Sequence, residues 1–282
     1  MIKKLLIFLL LCSTAFGQYL PPQQKPMLGM QINHSISLSN DIVGCWLMNE
    51  GAGGKVYDLS GNGYHLTASG GPTWQGGKYG PATKYVTGST QYFQRDECPV
   101  SVLPYTVSAW VKCGENNPAV FSCFFYIGKS GDAADYFVLA FQTDGQIRGW
   151  DRNSGAQAET ANDYADDAWH HVVALVTPTA QIRIDLYVDG DYRVDHTGAS
   201  SDVTSTYNRI AFGMARDVSP SFAYTGLIDN VMIWNRALTA SEIQQLYIEP
   251  FGMFKNPFDW YWYGGIGAPA VGAGQVIFIN MN

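Results

Sequence analysis

Residues 181–194 alternate apolar and polar side chains with a period of two. Ile182, Ile184, Leu186 and Val188 fall on one side, Arg183, Asp185, Tyr187 and Asp189 on the other, and Asp189-Gly190 supplies the residues that a tight reversal requires. A helix would repeat its apolar residues at three and four positions, so this stretch must be a hairpin with one face in a core and one in water. The same short runs, separated by Gly, Asn, Asp and Pro, recur at residues 106–112, 136–142, 146–152, 169–176, 209–213 and 226–234. They predict an antiparallel sandwich or barrel. Only residues 239–247 read as a helix, opened by Thr239 and Glu242 in a T-x-x-E capping box. With 282 residues, of which 46% are hydrophobic and 15% charged, the chain is long enough for one main all-β domain and unlike a disordered tail or a coiled coil.

The first residues read as an address. Lys3 and Lys4 precede an apolar run at residues 5–11, and Ala15 and Gly17 are the small residues that a signal peptidase reads. Residues 1–17 are therefore expected to be a cleaved signal peptide, and the mature chain to be secreted or periplasmic. The run is too short to span a bilayer, and no later segment is longer, so no membrane span is expected. Export changes the reading of Cys45, Cys98, Cys113 and Cys123, since an even number in an oxidising compartment favours disulfides. Four cysteines allow three pairings; the expectation is Cys113 with Cys123, closing a short loop, and Cys45 with Cys98 as the complement. Charge excludes another class: 17 Lys+Arg against 24 Asp+Glu give −7, with no basic stretch after the first four residues. A nucleic-acid partner is not expected, because phosphate binding rests on clustered Lys and Arg.

Four blocks, in order, carry a family resemblance. Residues 43–51 (VGCWLMNEG) with 56–63 (VYDLSGNG) come first, then residues 106–111 (TVSAWV). Residues 169–173 (WHHVV) leading to 187–190 (YVDG) follow, and residues 226–238 (GLIDNVMIWNRAL) with the helix close the series. The chain resembles laminin-G-like, concanavalin A-like lectin domains over residues 40–249. The resemblance implies a two-sheet antiparallel jelly-roll β-sandwich with one short C-terminal helix, preceded by a linker and lead-in at 18–39 and followed by an aromatic-rich tail at 250–282. It also implies a structural calcium held jointly by the loop at Asp58 and the last strand, with Asp58 and Asn62 as loop ligands and Asp229 as their partner. The residues agree in part: Asp58-x-Ser60-x-Asn62-Gly63 offers hard oxygens at alternate positions, and Asp229 interrupts an otherwise apolar strand where an unpaired carboxylate would be costly. Asp58 and Asn62 are also ordinary turn residues, and that alternative stays open.

Members of this fold include lectins, adhesion modules and glycoside hydrolases, so function must come from a site. A retaining glycosidase of this fold carries E-x-D-x-x-E, placing two carboxylates about 5–5.5 Å apart; the sequence has no such motif, nor G-x-S-x-G or H-E-x-x-H. His170 and His171 are consecutive and must point to opposite faces of a strand. Binding remains, and sugars stack on aromatic rings while polar neighbours take their hydroxyls. Arg148, Trp150 and Arg152 share one face of a strand, and Tyr136 lies across the hairpin; these four are the candidate ligand residues. The reading is a non-catalytic module that binds glycans or glycosylated surface proteins. A structural or assembly protein that self-associates through its C-terminal tail is the first alternative, and a glycoside hydrolase the second. The tail holds seven aromatics between residues 251 and 263, a density that must either fold back on the sandwich or form an interface.

Overall fold

Strands with one apolar face need a second sheet to cover them, and two eight-stranded antiparallel sheets do so here. The computed structural model describes residues 24–254 apart from 28, 87, 89, 101, 116–117, 201–206 and 217–219; the predicted signal peptide and residues 255–282 of the tail lie outside the described residues. In chain order the strands begin with β1 (Ile42–Trp46), β2 (Lys55–Val56), β3 (Leu66–Ser69), β4 (Thr73–Gly76), β5 (Pro81–Tyr85) and β6 (Tyr92–Arg95). The long central ones are β7 (Tyr105–Cys113), β8 (Ser122–Gly128), β9 (Tyr136–Phe141), β10 (Gln146–Asp151), β11 (Ala156–Asp163) and β12 (His170–Pro178). Then come β13 (Ile182–Val188), β14 (Asp191–Thr197), β15 (Arg209–Phe212), β16 (Ala215–Arg216), β17 (Pro220–Ser221) and β18 (Gly226–Trp234), before the helix α1 (Ala240–Ile248). The first sheet runs β14-β13-β12-β7-β18-β5-β4, with β1 also paired to β18; the second runs β11-β10-β9-β8-β15-β6-β3-β2. This is the expected jelly-roll sandwich.

Alternation sorts the side chains into three layers. Between the sheets lie Val107, Phe125, Phe137, Leu139, Leu186 and Phe212, all fully buried. On the outer face of the first sheet, Val173, Met232 and Trp234 are covered by Ile243 and Leu246 of α1, by Ile32 and Leu38 from the N-terminal segment, and by Met253 and Phe254. The capping box is formed: the Glu242 amide donates to Thr239 Oγ1 at 3.3 Å and the Thr239 amide to Glu242 Oε2 at 2.9 Å. Arg236 fixes the helix to the N-terminal segment by donating to both Glu242 oxygens, at 2.9 and 2.6 Å, and to Ser37 O at 2.9 Å. The lead-in and the start of the tail are thus built into the sandwich: Ile32 bridges to Phe254, and Trp234 Nε1 donates to Leu38 O at 2.7 Å. The third layer, on the outer face of the second sheet, holds Tyr126, Tyr136, Val138 and Ala140.

The layers correct the cysteine expectation. None of the four is in a disulfide. Cys45 lies in the layer under α1, Cys113 between the sheets and Cys123 on the outer face of the second sheet, while Cys98 packs at the margin of the core. Residues in different layers are separated by a sheet, and a disulfide needs Cα atoms within about 7 Å and Cβ vectors that converge. Burial instead pushes the thiols up, Cys98 to about 12 and Cys113 to about 11. Alkylation under denaturing, non-reducing conditions is expected to label all four positions; protection of any pair would restore the bridge.

The two histidines face opposite ways from the start of β12. His170 meets Asp189 at 2.8 Å and Asp166 at 3.0 Å at the surface, and those two carboxylates, set against partial burial, raise its pKa. His171 is sandwiched under α1, its ring stacked on Trp110 and Tyr247 with Nε2 2.8 Å from Ser108 Oγ, and burial lowers its pKa to about 3. A histidine that stays neutral when folded contributes stability that is present above about 6.5 and is lost as pH falls, because the unfolded chain takes the proton. The expected loss is about 2 kcal/mol by pH 5. His170 acts in the opposite sense, since its raised pKa adds stability below its unfolded value. Urea melts at pH 7 and pH 5 should therefore show a smaller acid loss for His171→Gln than for the native chain and a larger one for His170→Asn. Equal losses in all three would refute the assignment.

Candidate functional site

Strand β10 alternates as the sequence requires: Ile147, Gly149 and Asp151 face the core, while Arg148 and Trp150 face out and Arg152 follows in the turn. Pairing with β9 sets Trp150 opposite Val138, and the Arg152 amide donates to Tyr136 O at 2.9 Å, so the four predicted residues are brought together. Tyr136 is only 4% exposed; its ring meets Trp150 edge-on at 5.7 Å and supports the indole from below. The Arg152 guanidinium lies 4.9 Å over the indole ring and has no ion pair among the described residues. Arg148 is tied to Glu159 of β11 at 2.8 Å and lies over Phe121 at 5.8 Å.

Two aromatics complete the patch from loops. Phe121 stands edge-on to Trp150 at 6.3 Å and to Phe222 at 5.1 Å; Phe222 is 37% exposed, and Val120, next to Phe121 in the chain, is more open still. Phe222 has φ 55°, a left-handed backbone that bulky residues seldom adopt. The Cys123 amide donates to Phe222 O at 2.8 Å and holds that geometry against β8. No strand period predicts such residues; only their place at the turns flanking β8 and β18 brings them here. The result is a half-open aromatic shelf with one guanidinium held by a carboxylate and one unencumbered. A second concavity, about 380 Å³, lies between Lys84, Lys112 and Leu227 on the first sheet. Its aromatic, Tyr85, is 1% exposed and belongs to the core, so it offers no stacking surface.

Of the three expected calcium ligands, Asp58 and Asn62 share a loop network through Ser60 and Asp229 stands apart. Asp58 accepts the amides of Cys45 and Ser60 on Oδ1, both at 2.9 Å, and the Ser60 hydroxyl and Tyr64 amide on Oδ2, at 2.8 and 3.0 Å. Asn62 Nδ2 donates to Val43 O at 3.2 Å. This loop is a clamp on β1 with its carboxylate filled by donors. Asp229 shares none of these partners: its Oδ1 is 2.5 Å from Lys25 Nζ, and its Oδ2 accepts the Lys78 amide at 3.2 Å. Burial pushes the Asp229 carboxyl up to about 6, against the pull of Lys25. Among the described residues no group of three or more His, Cys, Asp or Glu is placed to hold a metal. The trio Asp58, Asn62 and Asp229 therefore does not fit one shared ion.

Several other acids are committed to turns and ion pairs. Asp163 and Asp166 accept the amides of Ala165 and Ala168, at 2.7 and 2.9 Å, Asp167 meets Lys112 at 3.1 Å, and Asp185 meets Arg183 at 2.6 Å. Asp151, on the core face of β10, is 1% exposed and accepts from Ser154 and Tyr207 at 2.8 and 3.0 Å.

Residues 87–244 match the family model described as the concanavalin A-like lectin/glucanases superfamily, laminin G type. Among solved structures, domain 4 of AbnA, a GH43 extracellular arabinanase from Geobacillus stearothermophilus in complex with arabinotriose, is similar at a TM-score of 0.57 and 19% identity. The match covers 73% of this chain and 98% of that one. The ligand binding domain of botulinum neurotoxin serotype D in complex with N-acetylneuraminic acid is similar at 0.56 and 16% identity, covering 74% and 51%. The binding domain of Paraclostridial Mosquitocidal Protein 1 is similar at 0.55 and 17%, covering 76% and 53%. The chain thus spans about half the length of the two toxin domains, and at these identities the likeness shows the fold. No curated protein matches the sequence.

The Asp58 clamp is open to a direct test. Asp58→Ala leaves the amides of Cys45, Ser60 and Tyr64 without their acceptor and is expected to cost about 3 kcal/mol or more. The loss in a denaturant melt should be the same in calcium and in chelator. A loss seen only in calcium would make Asp58 a metal ligand.

Proposed function

Because the chain belongs to the concanavalin A-like lectin/glucanases superfamily, we propose that it is an exported, non-catalytic carbohydrate-binding module whose ligand face is the shelf around Trp150. The observation that carries this is the Trp150–Phe121–Phe222 cluster, half open on the outer face of the second sheet and flanked by Arg148 and Arg152. A pyranose or furanose ring presents an apolar face to such a shelf, and guanidinium N–H groups donate to its hydroxyls. Arabinotriose in the arabinanase domain and N-acetylneuraminic acid in the toxin domain are ligands of those proteins; they support a saccharide here as a class. The unpaired guanidinium of Arg152 favours a glycan that carries a carboxylate, which Arg binds as a fork.

Catalysis has no comparable support. A retaining glycosidase needs two accessible carboxylates about 5–5.5 Å apart, and of the carboxylates on β10 and β11, Glu159 is held by Arg148 and Asp151 is sealed in the core. The buried Ser108–His171 contact lacks the third member of a triad, since His171 Nδ1 has no hydrogen-bond partner.

A glycan array and affinity electrophoresis test the proposal. The native chain is expected to be retained by specific glycans, with acidic ones weakened by salt. Trp150→Ala should lose retention at least tenfold, and Arg152→Ala should lose the acidic glycans first, with melting temperatures close to native. No retention by any glycan, or retention untouched by Trp150→Ala, would overturn it.

A further inference from the structure

Lys25 is the least expected residue of the structure. It comes from the Pro/Gln-rich lead-in, yet its side chain is 5% exposed and its ammonium meets three oxygens: Met48 O at 3.1 Å, Pro81 O, and Asp229 Oδ1 at 2.5 Å. The two main-chain carbonyls accept hydrogen bonds from the ammonium, and the carboxylate balances its charge. The strap that carries it is pinned on both sides, its own amide donating to Tyr79 O at 3.4 Å and Asn49 Nδ2 donating to Pro26 O at 3.1 Å. The seat is shaped for it. A Cβ at Gly77 would come within 2.7 Å of Asp229 Oδ2, and one at Gly80 within 3.4 Å of Lys25 Cδ. Met48 and Asn230 hold left-handed backbone, φ 50° and 48°, on two sides of the cage.

A second carboxylate stands close enough to act on the ammonium. Glu50 Oε1 accepts the Tyr57 amide at 2.8 Å, but its buried Oε2 has no hydrogen-bond partner. Main-chain carbonyls and carboxylates are the hard oxygen donors that calcium takes. With Lys25 in place, the ammonium neutralises Asp229. Without it, the Asp229 carboxylate and the two carbonyls would remain as hard oxygen donors with no cation among them.

We propose that Lys25 is a built-in cation: the cage of Met48 O, Pro81 O and Asp229 is a cation seat filled by the chain's own ammonium, so the domain needs no calcium there, and removal of Lys25 turns the seat into a calcium site. This accounts for the separation of Asp229 from Asp58, and it is independent of what the Trp150 shelf binds.

Thermal melts of the full chain in millimolar calcium chloride and in chelator decide it. The native chain is expected to melt alike in both. Lys25→Met should melt lower in chelator and recover in calcium by on the order of 5 °C once the ion is well above its dissociation constant, with saturable calcium binding by calorimetry. Lys25→Met combined with Asp229→Asn should not respond to calcium. A native chain that calcium stabilises, a Lys25→Met that calcium does not rescue or that folds in neither buffer, or a double variant that still responds would each overturn the proposal.

Discussion

A carboxylate with no exposed surface sits in the middle of the closing strand, and the surrounding structure answers to it. Asp229 lies where β18 bulges and changes neighbours: residues Gly226–Ile228 pair with β5, and residues Val231–Trp234 with β1. An isolated buried charge would cost several kcal/mol or more, so the site must supply a counter-charge and hydrogen-bond donors. The Lys78 amide comes from the tight Gly77–Gly80 turn, and the ammonium comes from the N-terminal strap. The same turn sets Tyr79 edge-on against both Trp110 and Phe251, 5.4 Å from each, so the requirement of one carboxylate is linked to the packing of α1 and of the segment after it.

That linkage separates the two outer faces of the sandwich. The first sheet is roofed by α1, the lead-in and residues 251–254, and under that roof the rings of Trp110, His171 and Tyr247 stack on one another. Among the described residues no helix covers the second sheet, and the short β16–β17 pair beside β8 and β15 leaves Trp150 and Phe222 partly open. A surface can serve a ligand only where its aromatics are not already committed to packing, and the Trp150, Phe121 and Phe222 cluster on the second sheet meets that condition.

What could be read from the sequence was what repeats locally. The β13–β14 hairpin, the outward face of β10 and the capping box at Thr239 and Glu242 depend on residues a few positions apart, and the structure has them where the pattern placed them. Strand β11, with its Ala, Asn and Asp, has little β-propensity; it is recruited by pairing with β10, as the Arg148–Glu159 pair illustrates. Cysteine parity misled because counting ignores which face each strand position occupies. Asp229 was conspicuous as an acid in an apolar strand, but its partner is 204 residues away in a stretch whose composition reads as linker. Phe121 and Phe222 were hidden for the same reason, being loop residues placed by the sheet order alone.

Buried ion pairs are often replaceable by hydrophobic residues with no loss, because desolvation offsets their attraction. The Lys25–Asp229 pair is a different case, since the cage contains two main-chain carbonyls that no substitution can remove. Met48 lies just past β1 and Pro81 at the head of β5, both beyond the residues that pair with β18, and both carbonyls turn to the Lys25 ammonium. An apolar side chain in place of Lys25 would leave both unsatisfied, at about 1–3 kcal/mol each, in addition to the stranded carboxylate. A cation is therefore a condition for closing the sheet around this bulge. Supplying it on a strap ties the docking of the N-terminal segment to completion of the first sheet.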